Sequence, residues 1–371
     1  MKIAIVITYF WPEQNGITRY ISGLYSALKK NHPEVEIDVI AFDTMRTGIF
    51  KESNNDFKIY RIECSPMMHR TYAMPTFAGV KRVKKIFKEN QYDVINIHTR
   101  FFFSSFMGLK MGKKFDIPVI HIEHGSGFVE HENFFIKNIA KIYDLTLGKY
   151  VLKNSDQVFG VSESVCRFAE KLGARKTEII YNGIDLSFWS KKNNKREVVR
   201  KKYGIKEKEA AFVFVGRLVN SKGGINLIET LSIIDNIDWK LLIVGEGPEK
   251  YNLKKLVKER HLEEKILFIG SLKAQEIKEI LQSSDLFINP SLASEGMPTT
   301  ILEASASGCR AISSDKGGSV EILPEENIFK AGDNKSLKEK IINYDKIIPV
   351  DVSKFEWGTI SKKFYDLIKN S

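Results

Sequence analysis

The chain has 371 residues, of which 43% are hydrophobic and 28% are charged; this composition is typical of a folded soluble protein and excludes disordered and fibrous classes. Its length exceeds what one hydrophobic core usually supports, so two domains are expected. The formal net charge of +11 is shared by both halves, and it suits nucleic acid, an anionic membrane or a phosphorylated substrate without choosing among them.

The first half alternates short apolar strands with helical patterns. Predicted strands lie at 2–10, 35–42, 93–99, 117–125, 157–162 and 177–185, and predicted helices at 17–30, 77–92, 102–114, 133–153 and 164–173. Because the strands are apolar almost throughout, a parallel sheet covered on both faces is expected.

The alternation then restarts. Strands are predicted at 210–218, 239–248, 266–272, 286–291 and 310–315, and helices at 224–235, 249–260, 274–283 and 335–343. The polar segment 183–195 is predicted to be the linker. The expected fold is therefore α/β, with two Rossmann-like doubly wound domains, 1–185 and 186–350, followed by a terminal segment, 351–371. Ligands of such folds bind beyond the carboxyl ends of the strands, so the predicted site is a cleft between two facing domains.

The cysteines, Cys64, Cys166 and Cys309, are far apart and form no CxxC pair. Neither structural zinc nor a disulfide framework is expected, and a reducing cytoplasm is the simplest compartment. The sequence has no secretory signal pattern at its start and no run of the roughly 18–20 apolar residues that cross a membrane. We therefore expect a cytoplasmic protein, either free or peripheral on the inner face of the cell membrane.

The stretch SEGMPTTILEASASG, residues 294–308, reads as the start of a helix that follows a strand. Pro298 suits the first helical turn, where its missing N–H costs nothing. The amides of Met297, Thr299 and Thr300 would point out of the helix start and, with the helix dipole, form a phosphate site. Gly296 would let a ligand approach the backbone closely.

Two carboxylates flank this helix start. Glu303 lies about 7.5 Å along the helix from Pro298 at ~1.5 Å per residue, too deep to act mainly on the dipole. It could accept hydrogen bonds from sugar hydroxyls, and Glu295 could hold a second sugar on the other side of the phosphate position. This arrangement describes a nucleotide sugar. The alternative is that Glu295 is a dipole partner and Glu303 a surface residue.

The stretch FVGRLVNSKGG places Arg217 and Lys222 directly after a strand. Two cations there could neutralise a diphosphate, with Arg217 offering a fork of donors; the alternative is a pair of solvated loop charges. No D-x-D triplet occurs, so no metal is expected at the diphosphate and no cofactor is needed beyond the donor itself.

The motifs GRLVNSKG, LLIVGEGPE, SEGMPTTILEA and NGID resemble those of the retaining glycosyltransferases of family 4, which have the GT-B fold. The spacing of Glu295 and Glu303 is similar to the E-x7-E motif of that family. The resemblance implies that Glu303 binds the ribose and Glu295 the transferred hexose, and that Arg217 and Lys222 hold the diphosphate. Leu272 would lie near the base.

The resemblance extends to the first half of the chain. It implies that the loop containing Gly16 approaches the donor phosphates and that His124, after a strand, faces the donor sugar. His121 reads as a core residue, and His98 could be either. The final segment is similar to a helix that crosses back to the first domain.

The implied activity is transfer of a hexose or N-acetylhexosamine, with retention, from a UDP-linked donor to a glycan or lipid-linked acceptor in cell-surface polysaccharide or glycolipid synthesis. Two alternatives stay open: a GT-B-fold sugar-nucleotide epimerase, and a non-catalytic nucleotide-sugar-binding protein. No nucleic-acid partner is expected, because no recognition motif is present.

A candidate membrane contact lies in the predicted helix 77–92. Val80, Val83 and Phe87 fall on one side of this helix, and the opposite side is basic. This face could meet anionic lipid headgroups; the alternative is a solvated basic face on a core-packed helix. Its candidate contacts are Lys81, Arg82, Lys84 and Lys85.

Overall fold

The computed structural model describes residues 1–13, 15–54, 56–67, 72–128, 134–192 and 195–369. The chain forms two compact units: unit 1 is Met1–Gly183 with Trp357–Ser371, and unit 2 is Ile184–Glu356. None of the described helices combines the length and the apolar run that crossing a bilayer requires.

Unit 1 is built on an eight-stranded sheet in the order β10-β9-β8-β7-β1-β2-β4-β3, parallel except for β3. Strands β5 and β6 form a separate antiparallel hairpin. The strands within the described residues of this unit are β1 Lys2–Ile7, β2 Glu36–Phe42, β3 Lys51–Ser53, β4 Lys58–Ile62, β5 Cys64–Met67, β6 Tyr72–Pro75, β7 Val94–His98, β8 Val119–Glu123, β9 Gln157–Gly160 and β10 Thr177–Ile179. Every residue of β7 and β8 is buried, which explains why their sequences do not alternate.

In the part of unit 1 that the structure describes, six α-helices connect these strands. They are α1 Gly16–Asn31, α2 Phe77–Glu89, α3 Phe103–Phe115, α4 Phe134–Tyr143, α5 Lys149–Asn154 and α6 Glu163–Leu172. A π-helical turn, Asp144–Gly148, joins α4 to α5 without a break, so residues 134–154 form one irregular helical run. Residue 133, where the predicted helix begins, lies outside the described residues.

Unit 2 has one fully parallel sheet, in the order β13-β12-β11-β14-β15-β16. Numbered from the first strand of the unit, this is the 3-2-1-4-5-6 order of Rossmann folds. Its elements are α7 Leu186–Trp189, α8 Arg196–Lys202, β11 Ala210–Val215, α9 Gly224–Leu231, β12 Trp239–Val244, α10 Lys250–Glu259, β13 Ile266–Gly270, α11 Ala274–Ser283, β14 Leu286–Asn289, α12 Thr299–Ala306, β15 Arg310–Ser314, α13 Ser319–Ile322, β16 Ile328–Phe329 and α14 Asn334–Ile342.

The predicted linker contains structure of its own. Within 183–195, helix α7 is capped by Asp185, whose carboxylate accepts the amide of Phe188 at 3.0 Å. An aspartate side chain can start a helix in a segment whose composition otherwise reads as a loop. Residues 193 and 194 of this segment lie outside the described residues.

The last helix, α15 Trp357–Lys369, belongs to unit 1 and packs on α1. The ring of Phe364 meets the edge of Tyr25 at 5.7 Å between centroids. Trp357 lies so close to Gly23 and Gly183 that a Cβ on either glycine would come within 2.4 Å of its ring atoms. Within unit 2, the amide of Ile184 donates to the carbonyl of Phe355 at 2.8 Å.

Candidate active site

The candidate residues of unit 2 lie where its strand order reverses. Strands β11 and β14 are direct neighbours, although helices and two other strands separate them along the chain. The connections after these two strands leave the sheet at its carboxyl edge in opposite directions, and the crevice between them is the usual ligand position of an open α/β sheet. Arg217 and Lys222 follow β11, and the 294–300 stretch follows β14.

Backbone contacts hold the connection after β11 against the connection after β14. The carbonyl of Ser221 accepts the amide of Leu292 at 2.8 Å. Gly223 has φ +69°, and a Cβ there would lie 1.9 Å from the carbonyl oxygen of Pro290, so only glycine allows this approach. These backbone contacts bring Lys222 beside Glu295.

Glu295 and Lys222 form an ion pair through Oε2 and Nζ. Both side chains are mostly buried, with exposed fractions of 21% and 25%. The second carboxylate oxygen of Glu295, Oε1, is buried and has no hydrogen-bond partner among the described residues. An unpaired buried acceptor costs about 1–3 kcal/mol, so Oε1 is suited to accept a hydroxyl from a bound molecule.

Glu295 is held from a third connection that the sequence analysis missed. A Cβ on Gly317, which has φ +62°, would lie 1.9 Å from the carbonyl oxygen of Glu295, and the amide of Gly318 donates to that oxygen at 3.2 Å. These glycines follow β15, the neighbour of β14. The available signal was a Gly-Gly pair directly after a strand, which predicts a close backbone approach.

The helix start differs from the prediction in one residue. Pro298 is the N-cap rather than a first-turn residue, with ψ 100°, and α12 begins at Thr299. An extended backbone is ordinary at an N-cap, and the carbonyl of Pro298 accepts the amide of Ile301 at 3.1 Å. No side chain caps this helix start. Gly296 is half-buried, Met297 is buried, Thr299 is exposed and Thr300 is half-buried.

The other unit 2 candidates lie along the same carboxyl edge. Glu303 is half-buried on α12, one turn beyond Thr299. Arg217 is exposed directly after β11, close to Lys222 along the chain. Leu272 is half-buried after β13, two strands away from β11 in the sheet. The structure therefore brings Lys222, Glu295 and the start of α12 into direct proximity, with Leu272 further along the edge.

In unit 1, Gly16 is the first residue of α1, which follows β1. The helix start is closed by a capping box: Asn15 accepts the amide of Thr18 at 3.0 Å, and Thr18 accepts the amide of Asn15 at 2.7 Å. A Cβ on Gly16 would meet nothing within 4 Å, so the packing of the protein does not itself require glycine here.

His124 follows β8 and lies beside α1. Its Nε2 is 3.1 Å from Nδ1 of His98, the last residue of the adjacent strand β7. The ring of Tyr20 meets His124 edge-on at 4.8 Å between centroids. Burial lowers the pKa of His124 to about 4, against the opposing attraction of Glu123. Burial likewise lowers the pKa of His98 well below its usual value. Both rings are therefore neutral near pH 7.

A buried charge network fixes the backbone beside His124. Glu123 is fully buried and pairs with Arg100 at 3.0 Å, while Arg100 also pairs with Asp144 at 2.9 Å. Glu123 accepts the amides of His124 and Gly125 at 3.0 and 2.9 Å. Burial alone would raise the pKa of Glu123, but the charge of Arg100 and hydrogen bonds from the surroundings lower it below its usual range.

The sequence analysis missed this network as well. His121, which was predicted to lie in the core, is fully buried and bonds Glu123 at 3.1 Å through Nε2. A usable signal was present, since Glu123 ends an apolar strand and Arg100 follows another. Ionisable residues rarely occur in fully buried strands unless they are paired.

The basic candidates of unit 1 lie on α2 and are partly engaged. Arg82 pairs with Glu63 at 2.9 Å and stacks on Phe50. Lys81 lies over the ring of Phe77 at 4.5 Å. Lys85 is 3.7 Å from the carboxylate of Glu89, and Lys84 is exposed.

A parallel sheet in the 3-2-1-4-5-6 order, with cations and an uncapped helix start at its switch point, is the arrangement of nucleotide-binding α/β proteins. Two family models match this chain: Glycosyltransferase Family 4 over residues 14–188 and Glycosyl transferases group 1 over residues 195–345. The chain belongs to the glycosyltransferases of family 4 type and has their GT-B fold. It is a glycosyltransferase, which favours the transfer activity over the epimerase and the non-catalytic binding protein considered above.

Individual relatives of this chain are also named as glycosyltransferases. The chain is 27% identical over 338 residues to an uncharacterized glycosyltransferase of Methanocaldococcus jannaschii, covering 87% of this chain and 83% of the relative. It is 27% identical over 336 residues to UDP-Gal:alpha-D-GlcNAc-diphosphoundecaprenol alpha-1,3-galactosyltransferase of Escherichia coli, covering 81% and 84%. Among solved structures, HepE of Anabaena in complex with UDP matches with a TM-score of 0.79 at 18% identity, covering 100% of both chains.

Proposed function

We propose that this protein is a retaining glycosyltransferase that moves a hexose or N-acetylhexosamine from a UDP-linked donor to a hydroxyl of a glycan or lipid-linked acceptor. The acceptor would be an intermediate in the synthesis of a cell-surface polysaccharide or glycolipid, and the transfer would take place at the inner face of the cell membrane. The name of the Escherichia coli relative supports this proposal, because it specifies both a UDP-linked hexose and a lipid diphosphate acceptor.

The observation that carries the donor assignment is the unpaired oxygen of Glu295. Oε2 of Glu295 binds Lys222, while Oε1 is buried without a partner next to the start of α12. A diphosphate held by Lys222, Arg217 and the amides at the helix start would bring its attached hexose beside this oxygen. Glu303 would bind the ribose, Leu272 would lie near the base, and Gly16 and His124 would serve the donor from unit 1.

The proposed reaction needs no carboxylate nucleophile. The acceptor hydroxyl attacks the anomeric carbon from the face of the leaving group, the bond from that carbon to the phosphate oxygen breaks, and the departing phosphate takes the hydroxyl proton. The products are UDP and the glycoside with retained configuration. Arg217, Lys222 and the helix start would stabilise the charge that develops on the phosphate, so we propose that no metal is required. Unchanged UDP release after EDTA treatment would support that part.

A panel of nucleotide sugars tests the donor first. At one ligand concentration, the nucleotide sugar that binds most tightly should raise the melting temperature most, with a shift that grows with the logarithm of its affinity. UDP-galactose, UDP-glucose and UDP-N-acetylglucosamine are the first candidates. UDP release from the best of them, with water as acceptor, then gives a rate. The sugar released first should have the anomeric configuration of the donor.

The Glu295→Ala variant tests the residue assignment. A hydrogen bond to a charged group contributes about 1.5–3 kcal/mol, so UDP release should fall on the order of 10- to 100-fold while UDP still binds. Glu303→Ala should chiefly weaken donor binding. Glu325→Ala is the matched control, because Glu325 is exposed in the same unit. If Glu295→Ala abolishes UDP binding, the role given to this residue is wrong.

A further inference from the structure

The helical run from α4 to α5 presents an apolar surface to solvent. Phe134, Phe135, Ile139 and Ile142 of α4 are exposed by 71%, 75%, 64% and 61%, and Leu145 in the following turn by 47%. At ~100° per residue, the four α4 side chains lie within an arc of about 140°. Single exposed apolar residues are ordinary, but a contiguous group marks an interaction surface. We call these five residues the α4 apolar face.

Lysines border this face, and residues 134–154 contain no exposed acid; Glu130 and Glu132, which precede α4 in the sequence, lie outside the described residues. Lys137 and Lys141 of α4 are exposed and lie beside the apolar arc, and Lys149 begins α5. From 134 to 154 the single acidic residue is Asp144, which is buried and pairs with Arg100 at 2.9 Å. On the neighbouring helix α3, Lys113 contacts Tyr150 of α5 at 3.2 Å. An apolar face with a basic border matches an anionic, apolar partner.

We propose that the α4 apolar face rests on an anionic membrane surface, with α4 lying in the plane of the headgroups. Helices with one apolar face and lysines on the polar side bind this boundary, and anionic lipid adds to their attraction. A second copy of the chain fits less well, because pairing through this face would bring the lysines of both copies together. The proposal specifies a contact surface for the proposed association with a membrane, on which it rests.

This surface differs from the one expected from the sequence. On α2, Arg82 is bound to Glu63, Lys85 lies near Glu89, and Phe77 is the exposed large apolar residue of the helix. The acids beside and on α2, Glu63 and Glu89, reduce its attraction for anionic lipid. The four basic residues of α2 therefore serve as the control surface.

Vesicle co-sedimentation of the full chain tests the proposal. The probes are vesicles of phosphatidylcholine alone and of phosphatidylcholine with about one third phosphatidylglycerol. The protein should prefer the anionic vesicles. The triple variant Phe135→Ser, Ile139→Ser, Ile142→Ser should bind them roughly tenfold or more weakly, and the pair Lys137→Gln, Lys141→Gln should lose most of the anionic preference. The α2 variant with Lys81, Arg82, Lys84 and Lys85 changed to Gln should bind as the unmodified protein does.

Two further measurements distinguish a loss of membrane binding from misfolding and from self-association. The melting temperature with and without UDP reports folding and the donor site, and it should be the same in the triple variant as in the unmodified protein. Light scattering reports self-association. The proposal is overturned if the triple variant binds anionic vesicles normally, if the α2 variant alone loses binding, or if the face mediates dimerisation instead. Vesicle binding by the unmodified protein that survives the triple variant would leave the membrane association standing and remove only this surface.

Discussion

The buried carboxylate of Glu123 gives the sharpest test of how unit 1 is held together. Five donors converge on its two oxygens: the amides of Arg100, His124 and Gly125, Nη1 of Arg100 and Nε2 of His121, at 2.9–3.1 Å. In Glu123→Gln, one oxygen becomes an NH2 group, so at least one backbone amide loses its acceptor. The variant also removes the charge that balances Arg100.

The expected cost follows from these contacts. Breaking one side of a buried pair typically costs about 3–5 kcal/mol, because a charge is left uncompensated. Asp144 still pairs with Arg100 at 2.9 Å, so we expect the lower end, about 3 kcal/mol. This is a large part of the ~5–15 kcal/mol stability of a typical domain.

Hydrogen exchange in denaturant, read by mass spectrometry, can measure this loss for each unit. Peptides from β7 and β8 report unit 1, and peptides from β11 and β12 in the same sample report unit 2. The matched control is Glu89→Gln, which removes an exposed pair with Lys85 and should cost less than about 0.5 kcal/mol. A loss in unit 1 below about 1 kcal/mol, or an equal loss in unit 2, would refute the reasoning.

The effect should also depend on pH with a defined sign. The pKa of Glu123 is lowered in the folded protein, so its contribution is present above the ordinary pKa of a glutamate, about 4.3, and is lost as the pH falls through the folded value. The difference between Glu123→Gln and the unmodified protein should therefore be full at pH 7 and shrink below about pH 4.

Two further predictions concern positioning and protonation. Gly317→Ala should push the Glu295 backbone away and lower the rate of UDP release on the order of 100-fold, with UDP binding retained. The control is Gly308→Ala, at φ +81° with open space around it, which should leave this rate unchanged. Equal effects of the two substitutions would contradict the contact between Gly317 and the carbonyl of Glu295. Because the folded pKa of His124 is about 4 and the unfolded one about 6.5, unit 1 should lose stability as the pH falls from 6.5 to 4. The slope of the unfolding free energy against pH gives the number of protons taken up on unfolding, and in His124→Gln this number should be smaller by roughly one between pH 4 and 6.5. If that slope is the same in the variant and the unmodified protein, His124 does not titrate in this range.

Much of the fold could be predicted because buried parallel strands are apolar throughout. This pattern predicted the long strands and their alternation with helices, and the GT-B fold is confirmed. Strands β3 and β4, the β5–β6 hairpin and the short helices α8 and α13 were not predicted. Lys58–Ile62 alternates in burial only in part, and four-residue elements such as α13 carry too little periodicity to stand out.

The candidate site could be predicted only where chemistry is concentrated in one stretch. The residues 294–303 can be read as a unit because a helix start, a glycine and two carboxylates fall together. The ion pair of Lys222 with Glu295 could not be predicted, since it depends on the neighbouring positions of β11 and β14 in the sheet. Gly317 acts on Glu295 across 22 positions of sequence for the same reason. Contacts made by sheet order leave no spacing signal along the chain.

The return of α15 to unit 1 has a consequence for synthesis. Unit 2 occupies one uninterrupted stretch, Ile184–Glu356, so it can be complete as soon as that stretch has left the ribosome. Unit 1 cannot be complete then, although its sheet is translated first, because the surface of α1 around Tyr25 and Gly23 is covered by Phe364 and Trp357. The sheet of unit 1 is thus translated before unit 2 but finished after it, because the α1 surface stays uncovered until α15 has been made.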